Sequence, residues 1–70
     1  MNPNVIRENL EKHLGERVKV QIFGMRNKNE TFVGNISEIY PQIFRVTSSN
    51  GTKTFSYSDI INGEVILSFL

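Results

Sequence analysis

The chain contains no cysteine, no tryptophan, one histidine and two prolines among its 70 residues. Without cysteine it can form neither disulfides nor zinc sites built on thiolates. The single histidine, His13, cannot by itself make a metal site of the usual histidine-rich kind, so we expect no metal and no cofactor. A domain of this size buries only about 60% of the surface that its unfolded chain exposes. We therefore expect one domain, 1–70. If stability is added from outside the chain, we expect a second protein subunit to add it.

Long apolar segments are also absent. No uncharged apolar run approaches the ~20 residues that cross a membrane, and 1–14 lacks the apolar segment of a signal peptide. We therefore expect a cytoplasmic protein with no membrane contact. The formal net charge of +1 indicates neither a polybasic tail nor an acidic nucleic-acid mimic.

The N-terminal segment has the pattern of a helix over 1–15. Asn2 can cap it, and Pro3 then occupies the first helical position, where its missing N–H costs nothing. One apolar stripe repeats every fourth residue: Ile6, Leu10 and Leu14. Gly15 gives the C-terminal stop. We predict a short amphipathic helix that packs on the rest of the protein.

After the helix, the period of the apolar residues changes from 3.6 to 2, which predicts a strand at 17–23. Val18, Val20 and Ile22 alternate there with polar residues that would face solvent. Further strands are predicted at 30–40, 43–48, 53–58 and 64–70. The Asn-Gly dipeptide at 50–51 is a strong hairpin signal between the third strand and the fourth.

The second predicted strand is long and changes face along its length. Phe32 and Ile36 belong to one face, whereas Ile39 belongs to the other. Gly34 indicates a bend or bulge in the strand, and Pro41 ends it with a tight connection. A long bent strand that contributes to two sheets is typical of the corner of a small barrel.

These elements predict a mainly β protein, in which a five-stranded SH3-like barrel at 16–70 follows the N-terminal helix. An Sm-like barrel is the alternative. A closed barrel would also remove exposed sheet edges. Between the last two strands, 58–61 predicts one helical turn capped by Ser58 or Asp59.

Residues with catalytic potential do not form a recognisable set. His13 borders the helix stripe, and no serine lies in a nucleophile elbow. Ser56, Ser58 and Asp59 are close in sequence but are explained by capping of a turn. We therefore predict that the protein is not an enzyme.

Two groups of residues are candidates for binding. Residues 17–28 contain four cations and no acid: Arg17, Lys19, Arg26 and Lys28. They form either a solvated strand face and loop or a contact surface for phosphates, with Tyr40 and Tyr57 as candidates for stacking on bases. Phe44 and Phe55 alternate along strands and are predicted to lie in the core.

The last strand, 64–70, is apolar on both faces. We expect it either to be buried on both sides or to pair in an interface, with Val65, Leu67 and Phe69 as the candidate edge for self-association into a homodimer.

Residues 34–69 resemble the Veg family of small proteins from Gram-positive bacteria. The motifs that carry the resemblance are Tyr40-Pro41 with Phe44 and then Tyr57-Ser58-Asp59-Ile60. The resemblance implies a cytosolic SH3-like protein that stimulates biofilm formation by acting on a repressor of transcription. The basic loop of the family, typically Gly-Gly-Arg-Arg-Lys, has one cation fewer here, at 24–28. The segment "IINGEVILS" is similar to the second Sm motif, although Asn62 replaces its arginine.

Two functions follow as hypotheses. The first is a regulatory module that binds a protein partner, such as a transcriptional repressor. The second is a nucleic-acid-binding module that uses the basic segment 17–28.

Overall fold

The computed structural model describes residues 2–23 and 29–70. The elements, in chain order, are α1 (Pro3–Glu11), β1 (Arg17–Phe23), β2 (Asn29–Ile39), β3 (Ile43–Ser48), β4 (Gly51–Ser56), α2 (Tyr57–Ile61) and β5 (Val65–Phe69). All strand pairs are antiparallel, and the strands form one sheet in the order β4-β3-β2-β1-β5. The prediction of a mainly β protein with an N-terminal helix is confirmed.

The predicted closure of the barrel is not found in the strand pairing. Within the described ranges, β4 and β5 are the two edges of the sheet and do not pair with each other. α2 joins them along the chain and contacts both. The sheet is therefore open in its hydrogen bonding, and a helical turn lies between its edges.

Helix α1 begins as predicted, because the Asn2 side chain accepts a hydrogen bond of 2.8 Å from the backbone N–H of Asn4 and Pro3 follows at the first helical position. The helix ends at Glu11 rather than at 15. The backbone N–H of Gly15 donates to the carbonyl of Ile36 at 2.8 Å, so the chain has already turned toward the sheet.

The early end of α1 changes the predicted apolar stripe. Ile6 and Leu10 are buried, but Leu14 lies beyond the helix and is 56% exposed. The prediction that Leu14 belongs to the core stripe is therefore wrong.

The predicted bulge in β2 is at Ser37 rather than at Gly34. The prediction that Ile39 belongs to the face opposite Ile36 is wrong, because Ile39 pairs with Phe44 and packs against the core. Ile36 pairs with Val46 and Glu38 pairs with Arg45, which leaves Ser37 as an extra residue in a bulge.

Gly34 is needed for a different reason. A Cβ atom at this position would lie 2.5 Å from the carbonyl oxygen of Thr47. Glycine therefore permits the close approach of β2 and β3.

The buried side chains form one cluster on the inner face of the sheet, beneath the helices. Its members are Ile6, Leu10, Val18, Val20, Ile36, Phe44, Val46, Phe55, Tyr57 and Val65. The prediction of a core position for Phe44 and Phe55 is confirmed. Tyr57 stacks on Phe44 with 5.7 Å between the ring centroids.

The hairpin between β3 and β4 lies where the sequence predicts it, with Ser48 paired to Gly51 across a two-residue turn. β4 nevertheless ends at Ser56, two residues before the predicted end. Ser56 caps α2 by accepting a hydrogen bond of 3.0 Å from the N–H of Ser58, so the predicted caps Ser58 and Asp59 are wrong.

Strand β5 is not buried on both faces within this chain. Val65 is buried and Leu67 is half-buried, but Ile66, Phe69 and Leu70 are 45%, 43% and 68% exposed. Pairing of β5 in an interface stays a prediction.

Candidate functional site

Three exposed side chains form a connected group where β2 passes into β3. The hydroxyl of Tyr40 donates a hydrogen bond to Oε2 of Glu38. A guanidinium nitrogen of Arg45 lies 3.3 Å from Oε1 of the same carboxylate. The Arg45 guanidinium also lies 5.8 Å from the centroid of the Tyr40 ring, within the range of a cation–π contact. Glu38 therefore contacts both the Tyr40 hydroxyl and the Arg45 guanidinium.

The bulge at Ser37 is what brings these side chains together. It restores the pairing of Glu38 with Arg45, so both side chains point to the outer face of the sheet. The backbone of Tyr40 is held from two sides. Its N–H donates to the carbonyl of Ile43 at 2.9 Å, and its carbonyl accepts from the Tyr57 hydroxyl at 2.6 Å.

The electrostatics of the group keep Glu38 ionised and Tyr40 neutral near pH 7. The hydrogen bond from Tyr40, together with the nearby charge of Arg45, lowers the pKa of the Glu38 carboxyl. The same hydrogen bond raises the pKa of the Tyr40 hydroxyl, because ionisation would place two negative charges together.

An open cleft of about 400 Å³ lies beside this group, between the end of α1 and the bulge. We call it the bulge cleft, and its lining residues are Glu11, Leu14, Ser37, Glu38, Ile39 and Tyr40. Leu14, which leaves the core stripe, supplies an exposed apolar wall. The cleft thus combines an aliphatic wall, a rigid tyrosine and carboxylates.

The basic segment is only partly described. Arg17 is exposed and Lys19 is half-buried on the outer face of β1, and neither forms an ion pair with the residues at 2–23 and 29–70. Arg26 and Lys28 lie outside the described residues. Both cations lie at the start of β1, the strand between β2 and the edge strand β5, where Arg17 pairs with Asn35 and Lys19 with Val33.

The other predicted contact residues have different environments. Tyr40 is 38% exposed, whereas Tyr57 is 1% exposed and cannot stack on a ligand in this structure. Phe69 stacks on the ring of His13 with 4.2 Å between centroids. The His13 ring is also 3.1 Å from the Glu16 carboxylate, so it links the end of β5 to the turn after α1.

Glu38, Arg45 and Leu14 were not predicted as site residues. The signal for the first two was the alternation in β3, which places Arg45 outward, combined with the shift in the spacing of the apolar residues between Ile36 and Ile39 in β2. Leu14 has a helical spacing, so the pattern alone assigned it to the core.

Two further observations concern residues 2–23 and 29–70. There, no three His, Asp or Glu side chains lie close enough to share a metal ion. No helix in the described part is long and apolar enough to cross a bilayer.

The fold and the site together define a small, mainly β domain whose candidate functional region is an open outer surface rather than an enclosed pocket. The model of the family described as "Biofilm formation stimulator VEG" matches residues 2–68, and the chain belongs to this family. The resemblance in the sequence is thus confirmed. No curated protein matches the chain.

Proposed function

We propose that this protein stimulates biofilm formation as a cytoplasmic, non-catalytic regulator that binds a transcriptional repressor and relieves repression. Membership of the biofilm formation stimulator family supports the biological role. The bulge cleft supports recognition of a protein partner.

The observation that carries the proposal is the exposed and fixed pair Tyr40 and Arg45. Tyrosine and arginine are enriched among the residues that dominate protein–protein affinity. The hydroxyl of Tyr40 already donates to Glu38, and the Tyr40 backbone is bonded to Ile43 and Tyr57, so binding costs less side-chain and backbone entropy than for an unbonded tyrosine. Leu14 adds an apolar contact beside the pair.

Binding of the purified chain to purified repressors of biofilm genes tests the proposal. We expect Tyr40→Ala to weaken binding by roughly thirtyfold, or about 2 kcal/mol, as for a central interface residue. Phe23→Ala is the matched control, because Phe23 is 39% exposed and lies at the far end of β1. Absence of saturable binding at micromolar concentration, or equal effects of the two variants, would contradict the proposal.

A second candidate function is nucleic-acid binding, which exposed Arg17 and half-buried Lys19 favour, since neither is paired with an acid in the described part of the chain. Binding of this kind weakens steeply as salt rises. A titration with single- and double-stranded DNA and RNA at low salt should then show binding that Arg17→Gln reduces. If no binding is detected at low salt, this candidate is removed.

A further inference from the structure

We propose that two copies of this chain associate by antiparallel pairing of their β5 strands about a twofold axis at Leu67. The proposal concerns self-association and does not depend on the bulge cleft or on a repressor.

Among the residues at 2–23 and 29–70, β5 pairs with β1 on one side of its backbone and with no strand on the other. The carbonyl of Glu64 accepts from the N–H of Phe23 at 2.8 Å, and the N–H of Leu70 donates to the carbonyl of Arg17 at 3.1 Å. In an antiparallel ladder, alternate residues direct their backbone groups to opposite sides. The even-numbered residues of β5 therefore bond to β1, and Val65, Leu67 and Phe69 direct their N–H and C=O groups to the open edge.

The composition of this edge favours pairing. The segment 65–70 contains no charged residue and no proline, the usual features that prevent edge strands from associating. Two exposed apolar side chains, Ile66 and Leu70, lie on the outer face, and Phe69 is exposed at the end of the strand. Pairing would cover these side chains and satisfy the free backbone groups together.

A second copy fits the edge because the register is complementary to itself. With Leu67 opposite Leu67 of the second copy, all five residues of β5 are paired, and Val65 lies opposite Phe69 of the second copy. The twofold axis is then perpendicular to the sheet, so the outer faces of the two sheets are continuous. Contacts of this kind close after two subunits.

The charges beside the edge are complementary in the same register. Glu64 of one copy would lie opposite Leu70 of the other, and Leu70 is the neighbour of Arg17 in its own sheet. Glu64 and Arg17 of the second copy are then two strands apart, about 10 Å between backbones, on the same face. Both side chains are exposed and form no ion pair with any described residue of their own chain. The twofold axis creates this pair twice.

Sedimentation equilibrium of the full chain over a range of concentrations tests the proposal. We expect a monomer–dimer equilibrium in which Glu64→Lys or Arg17→Glu raises the dimer dissociation constant by roughly tenfold, because two symmetric pairs become repulsive. The double variant Glu64→Lys/Arg17→Glu should restore the affinity, which also shows that the variants fold. A chain that is monomeric at all concentrations overturns the proposal, as does a larger oligomer or a dimer that these charges do not affect.

A backbone variant gives an independent test. A chemically synthesised chain with N-methyl-Leu67 replaces the N–H at the open edge by N–CH3, which removes the donor and blocks close approach of a second strand, and it keeps every side chain. We expect a folded monomer by circular dichroism and sedimentation, whereas N-methylation of exposed Thr31, away from β5, should leave the dimer intact. A dimer of unchanged affinity with N-methyl-Leu67 overturns the proposal.

Discussion

Strands β4 and β5 both end the sheet, but only β4 places a charged side chain on the inner face. Lys53 pairs with buried Val46, so its side chain points to the inner side. Its ammonium lies 5.2 Å from the centroid of the Phe32 ring and 3.4 Å from Oε2 of Glu30. Strand β5 has no charged residue from Val65 to Phe69.

This difference indicates which edge can accept another strand. A charge directed inward on an edge strand loses hydration if a second sheet packs there, so it protects the edge against association. β4 has this protection and β5 does not. The same sheet therefore has one edge suited to solvent and one suited to pairing, and a closed dimer follows more readily than an open chain of subunits.

Tyr57→Ala should have the largest effect, because it removes the side chain that anchors α2 between the two edges. Tyr57 is 1% exposed and stacks on Phe44. Truncation of a large buried aromatic costs about 3–5 kcal/mol, which is much of the stability of a small domain. We expect the free energy of unfolding in urea to fall by this amount and both edges to lose their order.

Tyr57→Phe is the matched variant for that measurement. It keeps the ring and loses only the hydrogen bond of 2.6 Å to the Tyr40 carbonyl, so the expected loss is about 1 kcal/mol. Equal losses for the alanine and phenylalanine variants would contradict the anchoring role of the ring.

Gly34→Ala should have the next largest effect on stability, and it should affect the β4 edge more than the β5 edge. The added Cβ would meet the Thr47 carbonyl oxygen at 2.5 Å, which forces β3 away from β2. Strain of this kind typically costs about 1–3 kcal/mol. Amide hydrogen exchange should show lost protection in β3 and β4, with β1 and β5 largely unchanged. Uniform loss of protection over all five strands would contradict this expectation. Val33→Ala is the control, since Val33 is half-buried on the other face of the same strand.

Most of the fold could be predicted because the spacing of apolar residues and the residue types at turns are local properties of the sequence. Alternation in β1 and the Asn-Gly turn predicted strands that the structure contains. The end of α1 could not be predicted, because the hydrogen bond from Gly15 to Ile36 joins residues far apart in sequence. Closure of the barrel would require β4 to pair with β5, and no local sequence pattern indicates whether two such distant strands pair.

The candidate site was less predictable than the fold. Tyr40 was predicted as a contact residue, being an aromatic beside a proline. The contact between Tyr40 and Glu38 depends on a bulge whose position could not be predicted from the sequence. Tyr57 has the same residue type and a similar strand context, yet it is buried. Residue type indicated which side chains could bind. Tyr57 is inaccessible because β4 ends at Ser56 and Tyr57 begins α2, where its ring packs on Phe44.

Lys53→Ile should change association more than stability and tests the protection of β4 directly. The substitution removes the inward charge, so the β4 edge can also pair. With both edges available, association is no longer limited to two subunits, and light scattering should detect larger species. Lys12→Ile makes the same change of charge at the exposed end of α1 and should leave the size distribution unchanged. If the two variants behave alike, the inward charge is not what distinguishes β4 from β5.

The smallest expected effect on stability comes from Glu38. It stabilises the connection between β2 and β3 through its contacts with Tyr40 and Arg45. Its pKa is lowered in the folded protein, chiefly by the Tyr40 hydrogen bond, so this contribution is present above the ordinary carboxyl pKa and is lost as pH falls through the folded value. A carboxyl titration followed by NMR should give a pKa for Glu38 below the ordinary value of a glutamate, and Tyr40→Phe should raise it. An unchanged pKa in Tyr40→Phe would mean that the hydrogen bond does not fix the tyrosine. The effect on stability should be confined to acidic pH and should leave dimerisation at β5 unchanged at neutral pH, because the Glu38 group lies on the β4 side of the sheet.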